Sequence, residues 1–161
     1  MKIYQVTSSG KQYSLSANEE VQGQISYPTW YSYRAVITTA NGTWNVKTEG
    51  FWGQKLLMEK DNGVVADARI NWNAQVVITF GSREYLLKVK RFLDFSFVVL
   101  NEKKEVVMNI RSQYKWTGCH VNYQLETEAD FLPEELLFLA HNCNMLLAMN
   151  GDATASVAAT I

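Results

Sequence analysis

Polar and apolar positions alternate with period two along most of the chain, from residue 2 to about residue 127. That period puts successive side chains on opposite faces of a β-strand. Residues 119–127 show it most clearly. Cys119, Val121, Tyr123 and Leu125 share one face, while His120, Asn122, Gln124 and Glu126 share the other. Asn41-Gly42 follows Ala35–Thr39 and leads into residues 43–47, and Asn62-Gly63 follows Lys55–Lys60 and leads into residues 64–70. Asn-Gly accepts the two positive φ values of a type I′ hairpin turn. Gly81-Ser82 and residues 102–104 read as further tight turns. The pattern predicts about eleven or twelve short strands, the spacing of a sandwich or a barrel. Residues 57–69 (LMEKDNGVVADAR) also echo residues 99–111 (VLNEKKEVVMNIR), each reading as strand, charged turn and strand.

The period changes near the end. Residues 133–149 read PEELLFLAHNCNMLLAM, with Pro133 suited to a first helical turn and Glu134 and Glu135 at the positive end of the dipole. Asn150-Gly151 is a stop signal. On a helical wheel the apolar residues go all the way round, and a helix apolar on every side is buried on every side. A barrel of eight strands has a radius of roughly 8 Å, too narrow for a helix about 10–12 Å across. Ten to twelve strands give roughly 10–12 Å. The expected fold is therefore mainly β, a closed antiparallel barrel of about 12 strands around a C-terminal helix. The alternative is a β-sandwich with the helix over one end. Small residues such as Ala66 and Ala68 would let the helix approach the wall. One domain is expected over residues 1–150, followed by a tail at 151–161.

This layout resembles the tubby C-terminal-like superfamily, which includes the tubby-like proteins, the plant LURP-one-related proteins and the phospholipid scramblases. The resemblance spans about residues 13–149. Its best local matches are the hairpin at residues 55–70, with Asn62-Gly63 at its turn, and residues 123–149, where a strand runs through an acidic turn into the helix. It implies a twelve-stranded barrel around a central hydrophobic helix. It carries neither the phosphoinositide pocket of tubby nor the calcium segment of scramblases onto particular positions. The function it implies is a non-catalytic barrel that binds lipid or another ligand. A protein–protein scaffold is the reading from a different class, and an enzyme with an unrecognised site is a third.

Composition narrows these readings. Lys and Arg number 15 against 16 Asp and Glu. Such a balance predicts no nucleic-acid partner, which would call for a basic excess or stripe. Two cysteines make no disulfide framework, the N-terminus has no apolar signal region, and no run of 18 apolar residues occurs. The expectation is a cytoplasmic protein without a transmembrane segment. No GxSxG, phosphate-cradling glycine loop or HExxH occurs, so no catalytic residue and no cofactor is assigned.

Four groups are candidates for chemistry. Lys88, Lys90 and Arg91 form the densest basic run, suited to phosphorylated headgroups or an anionic membrane, or else to a plain solvated face. Cys119-His120 and His141-x-Cys143 fit no zinc-ligand spacing, and no metal is expected. His141, Asn142 and Asn144 are polar groups on a buried helix, facing either a ligand pocket or partners on the wall. The aromatics Tyr27, Trp30, Tyr31, Tyr33, Phe51 and Trp52 either plug a barrel end or meet a ligand or membrane.

Overall fold

The computed structural model describes residues 1–28, 33–50, 55–71, 73, 75–91, 93–115 and 120–150, with backbone alone at 114, 115, 120, 149 and 150. Twelve strands precede one helix: β1(Lys2–Ser9), β2(Gln12–Ala17), β3(Glu20–Ser26), β4(Ala35–Thr39), β5(Gly42–Glu49), β6(Lys55–Lys60), β7(Gly63–Ile70), β8(Val76–Phe80), β9(Arg83–Arg91), β10(Ser96–Leu100), β11(Val106–Lys115), β12(His120–Thr127) and α1(Pro133–Asn150). Each strand pairs antiparallel with its sequence neighbours, and β1 pairs with β12 to close the barrel. Closure excludes the sandwich and leaves no strand edge open.

Successive strands run in opposite directions, so the turns fall on two rims. The helix enters at the rim that carries the β2–β3, β4–β5, β6–β7, β8–β9 and β10–β11 turns. It runs toward the opposite rim. Leu132 caps it: the Glu135 carboxylate accepts the Leu132 N–H at 3.1 Å, which satisfies one orphan donor ahead of Pro133. Leu136, Leu137, Phe138, Leu139, Cys143 and Leu146 are all fully buried, and they lie on several sides of the helix.

The helix sits off-centre, closest to β2, β3 and β4. Gly23 on β3 is what permits this. A Cβ there would lie 2.8 Å from Thr39 Cγ2 and 3.2 Å from Leu137 Cδ1. Ala66 and Ala68 do line the interior, but the closest approach is made by this glycine instead. The wall farther from the helix carries the two largest fully buried strand side chains, Tyr123 and Phe97, while Leu15, Ile25 and Ile37 on the near wall match Leu87 and Ile110 in size.

The echo between residues 57–69 and 99–111 has a structural counterpart. In β6–β7 the pairs Met58–Ala66 and Glu59–Val64 leave Val65 as an extra residue. In β10–β11 the pairs Val99–Met108 and Leu100–Val106 leave Val107 extra. The β2–β3 hairpin repeats the device, with Leu15–Gly23 and Ser16–Val21 leaving Gln22 extra. In these three hairpins, four strands apart, the bulge falls on the second strand beside the helix-entry rim; a fourth bulge, on β9, has no counterpart on β1 or β5.

Two turns lie one residue earlier than Asn-Gly chemistry predicts. Asp61 and Asn62 take the left-handed conformation, and Gly63 already pairs with Lys60. Gly42 likewise pairs with Thr39. Asp and Asn tolerate left-handed backbone well enough to centre the β6–β7 turn, and strand register decides which residues occupy it.

Candidate functional site

The basic run lies on the outer wall near the rim opposite the helix entry. Leu87 points inward and is fully buried, Lys88 is partly exposed, and Lys90 and Arg91 are exposed. Strand β10 pairs Ser96 with Arg91 and Phe97 with Val89, so Lys90 is the bulged residue. On its other side Ser96 pairs with Arg111 of β11. Arg91 and Arg111 therefore flank Ser96 from two strands, about 10 Å apart at the usual strand spacing. Among the described residues, Lys88, Lys90, Arg91 and Arg111 form no ion pair. Beside them the β9–β10 connection presents Leu93, which is 100% exposed. The Ser112 hydroxyl anchors that connection, donating to the carbonyls of Asp94 at 3.0 Å and Phe95 at 2.8 Å.

The near-zero net charge conceals a division between the two ends. Cutting each strand at its midpoint, the half away from the helix entry holds Lys11, Arg34, Lys47, Lys55 and Arg69 on one side of the barrel. Lys88, Lys90, Arg91 and Arg111 stand on the other. Among described side chains its only carboxylates are Glu49, Asp67 and Asp94. The helix-entry half holds twelve carboxylates, from Glu19 in the β2–β3 turn to Glu135 in the helix. They face five basic side chains, Lys2, Lys60, Arg83, Lys103 and Lys104, and the Met1 ammonium. Pairing sharpens the contrast. Lys47 meets Glu59 at 2.8 Å, and Lys55 and Arg69 both meet Asp67. The cations without a carboxylate partner concentrate on β9–β11.

Inside the barrel a second polar group is assembled around the helix. The Tyr33 carbonyl lies 3.0 Å from His141 Nε2, and a carbonyl only accepts, so Nε2 carries the proton. Nδ1 then accepts from the Tyr27 hydroxyl at 2.8 Å. Tyr27 Oη in turn accepts from Asn144 Nδ2 at 3.3 Å, and Asn144 Oδ1 accepts from the Tyr123 hydroxyl at 2.5 Å. Tyr13 packs edge-on against Tyr27, with ring centroids 5.9 Å apart. Burial holds the His141 pKa down to about 4, partly offset by the Tyr33 carbonyl. Burial also pushes the Tyr13 hydroxyl up to about 12, against the pull of its hydrogen bond with Asn144. The same desolvation raises Tyr27 and the Cys143 thiol, so the group is neutral and Cys143 is an inert core thiol. Asn142 differs. Its Nδ2 donates to the Phe138 carbonyl at 2.8 Å, and its buried Oδ1 has no partner.

No family model matches the chain, and neither does any curated protein or solved structure. Among the described residues no three His, Cys, Asp or Glu side chains gather where they could hold a metal. Cys119, Trp30, Tyr31, Phe51 and Trp52 lie outside the described residues, as does the side chain of His120. Of the aromatic group, Tyr27 belongs to the internal cluster, and Tyr33 adds only its carbonyl. No helix among the described residues is long and apolar enough to cross a membrane.

Strand pairing brings Arg111 to Lys88, Lys90 and Arg91, although it lies 20 positions beyond Arg91 in the chain. Reading the sequence misses Arg111 and Leu93. The one signal that points to Arg111 is the parity of β11, which puts it on the same outer face as Asn109, but only the register shows that Ser96 lies between it and Arg91.

Proposed function

We propose that this domain is a non-catalytic, tubby-like barrel that binds anionic phospholipid surfaces through the outer face of β9–β11. The observation that carries the reading is the grouping of Lys88, Lys90, Arg91 and Arg111, without ion pairs, beside the fully exposed Leu93. Unpaired cations attract anionic headgroups at about 1 kcal/mol each near the surface. An apolar side chain raised on an anchored turn among them gains by entering the interfacial region. The bare cations also favour this reading over a plain solvated face, because the cations on β5–β7 at the same end are neutralised. The charge division would orient the barrel, with its acidic rim turned away from the lipid. In the cytoplasm, the reading places it at the anionic inner leaflet.

Vesicle flotation tests this. Wild-type protein should float with vesicles containing about a third phosphatidylserine and remain behind with pure phosphatidylcholine. Lys88→Glu/Lys90→Glu should lose at least tenfold in affinity, since each reversal removes one attraction and adds one repulsion. Equal flotation with both vesicle types, or an unaffected variant of wild-type stability, removes the lipid reading.

A further inference from the structure

The acidic end carries a surface groove of about 350 Å³. Its apolar walls are Val106, Val107, Ala129 and the Met1 side chain; Glu126 stands at its edge, and Glu128 there pairs with the Met1 ammonium at 3.4 Å. Val106 is more than half exposed. The volume is at the lower end for a small-molecule pocket, and it suits one or two inserted side chains. The opposite end of the same chain offers an exposed apolar side chain. Leu93 is fully exposed on the β9–β10 connection, with Lys90 and Arg91 just before it. Ser112 anchors the connection, and the Ser96 hydroxyl donates to Asp94 Oδ1 at 3.1 Å, so the one carboxylate beside Leu93 is already engaged. Groove and knob lie on the same part of the wall, between β9 and β1, at opposite ends.

We infer that two copies of this chain dock head to tail, the Leu93 knob and Arg91 of one entering the Val106–Ala129 groove of the next beside Glu126 and Glu128. The occupant is a second copy because the knob is apolar and basic, while the groove is apolar and keeps a net negative charge. The Met1 ammonium offsets Glu128, and Glu126, which accepts from the Gln124 amide at 2.8 Å, has no cation paired with it among the described residues. The contact uses different surfaces of the two partners, so it is heterologous and does not close on itself. It generates open chains. It is also small, below the roughly 1,200 Å² of a stable interface, which makes it weak and dependent on salt. Anionic lipid on the basic face would compete for the same cations, so lipid-free protein is the form to measure.

Sedimentation velocity on lipid-free protein tests the contact. At about 50 mM salt and several hundred micromolar protein, the weight-average mass should rise about twofold or more above the monomer. It should fall back to the monomer at about 500 mM salt. Leu93→Asp and, separately, Glu126→Lys/Glu128→Lys should each be monomeric at low salt, with unchanged melting. Mixing the two variants should restore dimers but nothing longer, because one intact groove then meets one intact knob. Wild type that stays monomeric at low salt overturns the inference. So does a mixture that fails to dimerise, or an association that persists in either variant alone. Vesicle binding by a protein that never self-associates would leave the lipid reading standing and remove this one.

Discussion

The two ends of the barrel handle polarity in opposite ways. At the helix-entry end, charges are numerous and several are bonded. Glu135 is almost fully buried, where it takes the Leu132 N–H and pairs with Arg83. Glu134, also buried, is met by Thr39 Oγ1 at 3.4 Å and Asn41 Nδ2 at 3.3 Å. At the other end the buried polar chain His141–Tyr27–Asn144–Tyr123 is neutral, and Lys88, Lys90, Arg91 and Arg111 stand on the outer wall without ion pairs. The contrast separates two tasks. Charge at the entry end helps hold the helix in the barrel. Lys88, Lys90, Arg91 and Arg111 contribute no ion pair to the fold and are free to meet something else.

Acid should produce the largest effect, and at the neutral end. The folded state holds His141 neutral with its pKa down at about 4, against an ordinary value of 6.5. A depressed histidine leaves stability intact above pH 6.5, and that stability is lost as pH falls toward 4. The shift corresponds to about 3 kcal/mol. Chemical denaturation between pH 7 and 4 should show a loss of that order, and His141→Gln, less stable at pH 7, should show a clearly shallower slope. Equal slopes would mean that other groups control the acid response.

Arg83→Ala should come next, at the charged end. It leaves Glu135 buried with only the Leu132 N–H for a partner. Loss of one member of a buried pair costs about 3–5 kcal/mol, but Arg83 is itself substantially exposed, so solvent screening brings the expected loss to about 2 kcal/mol. Glu135→Gln/Arg83→Ala should recover part of it. Denaturation midpoints at pH 7 measure both.

The smallest effect should have the opposite sign. Asn142 Oδ1 is buried without a partner. Asn142→Leu removes that unmet acceptor and adds apolar volume, so stability should rise by up to about 1 kcal/mol. A loss above 1 kcal/mol would show that the amide has a use in the core that its single bond to Phe138 does not reveal.

Much of this fold was legible in the sequence, through physical quantities that act locally. Period-two alternation marked the strands, and a helix apolar on all sides called for a container wide enough to hold it. Residue 142 on a buried helix was visible as a polar oddity for the same reason. What composition hid was the division of charge. Fifteen cations and sixteen carboxylates average to almost nothing, and an average cannot show that strand direction sends them to different rims. Alternate turns lie at alternate ends, so sorting turns by parity would have shown it. Arg111 and Gly23 were out of reach for another reason. Their roles depend on which residue lies opposite in the register and on where the helix axis falls.

Reversing charge at each end in turn, with vesicle affinity as the readout, tests the division of tasks most directly. Arg91→Glu/Arg111→Glu alters the basic face, and Lys103→Glu/Lys104→Glu makes the same change of net charge at the acidic rim. The first should weaken binding to phosphatidylserine vesicles about tenfold or more, and the second should leave it within about twofold, with both variants melting near the wild type. Equal weakening by the two would show that net charge alone governs binding, and would contradict a barrel whose lipid-facing charge resides on β9–β11.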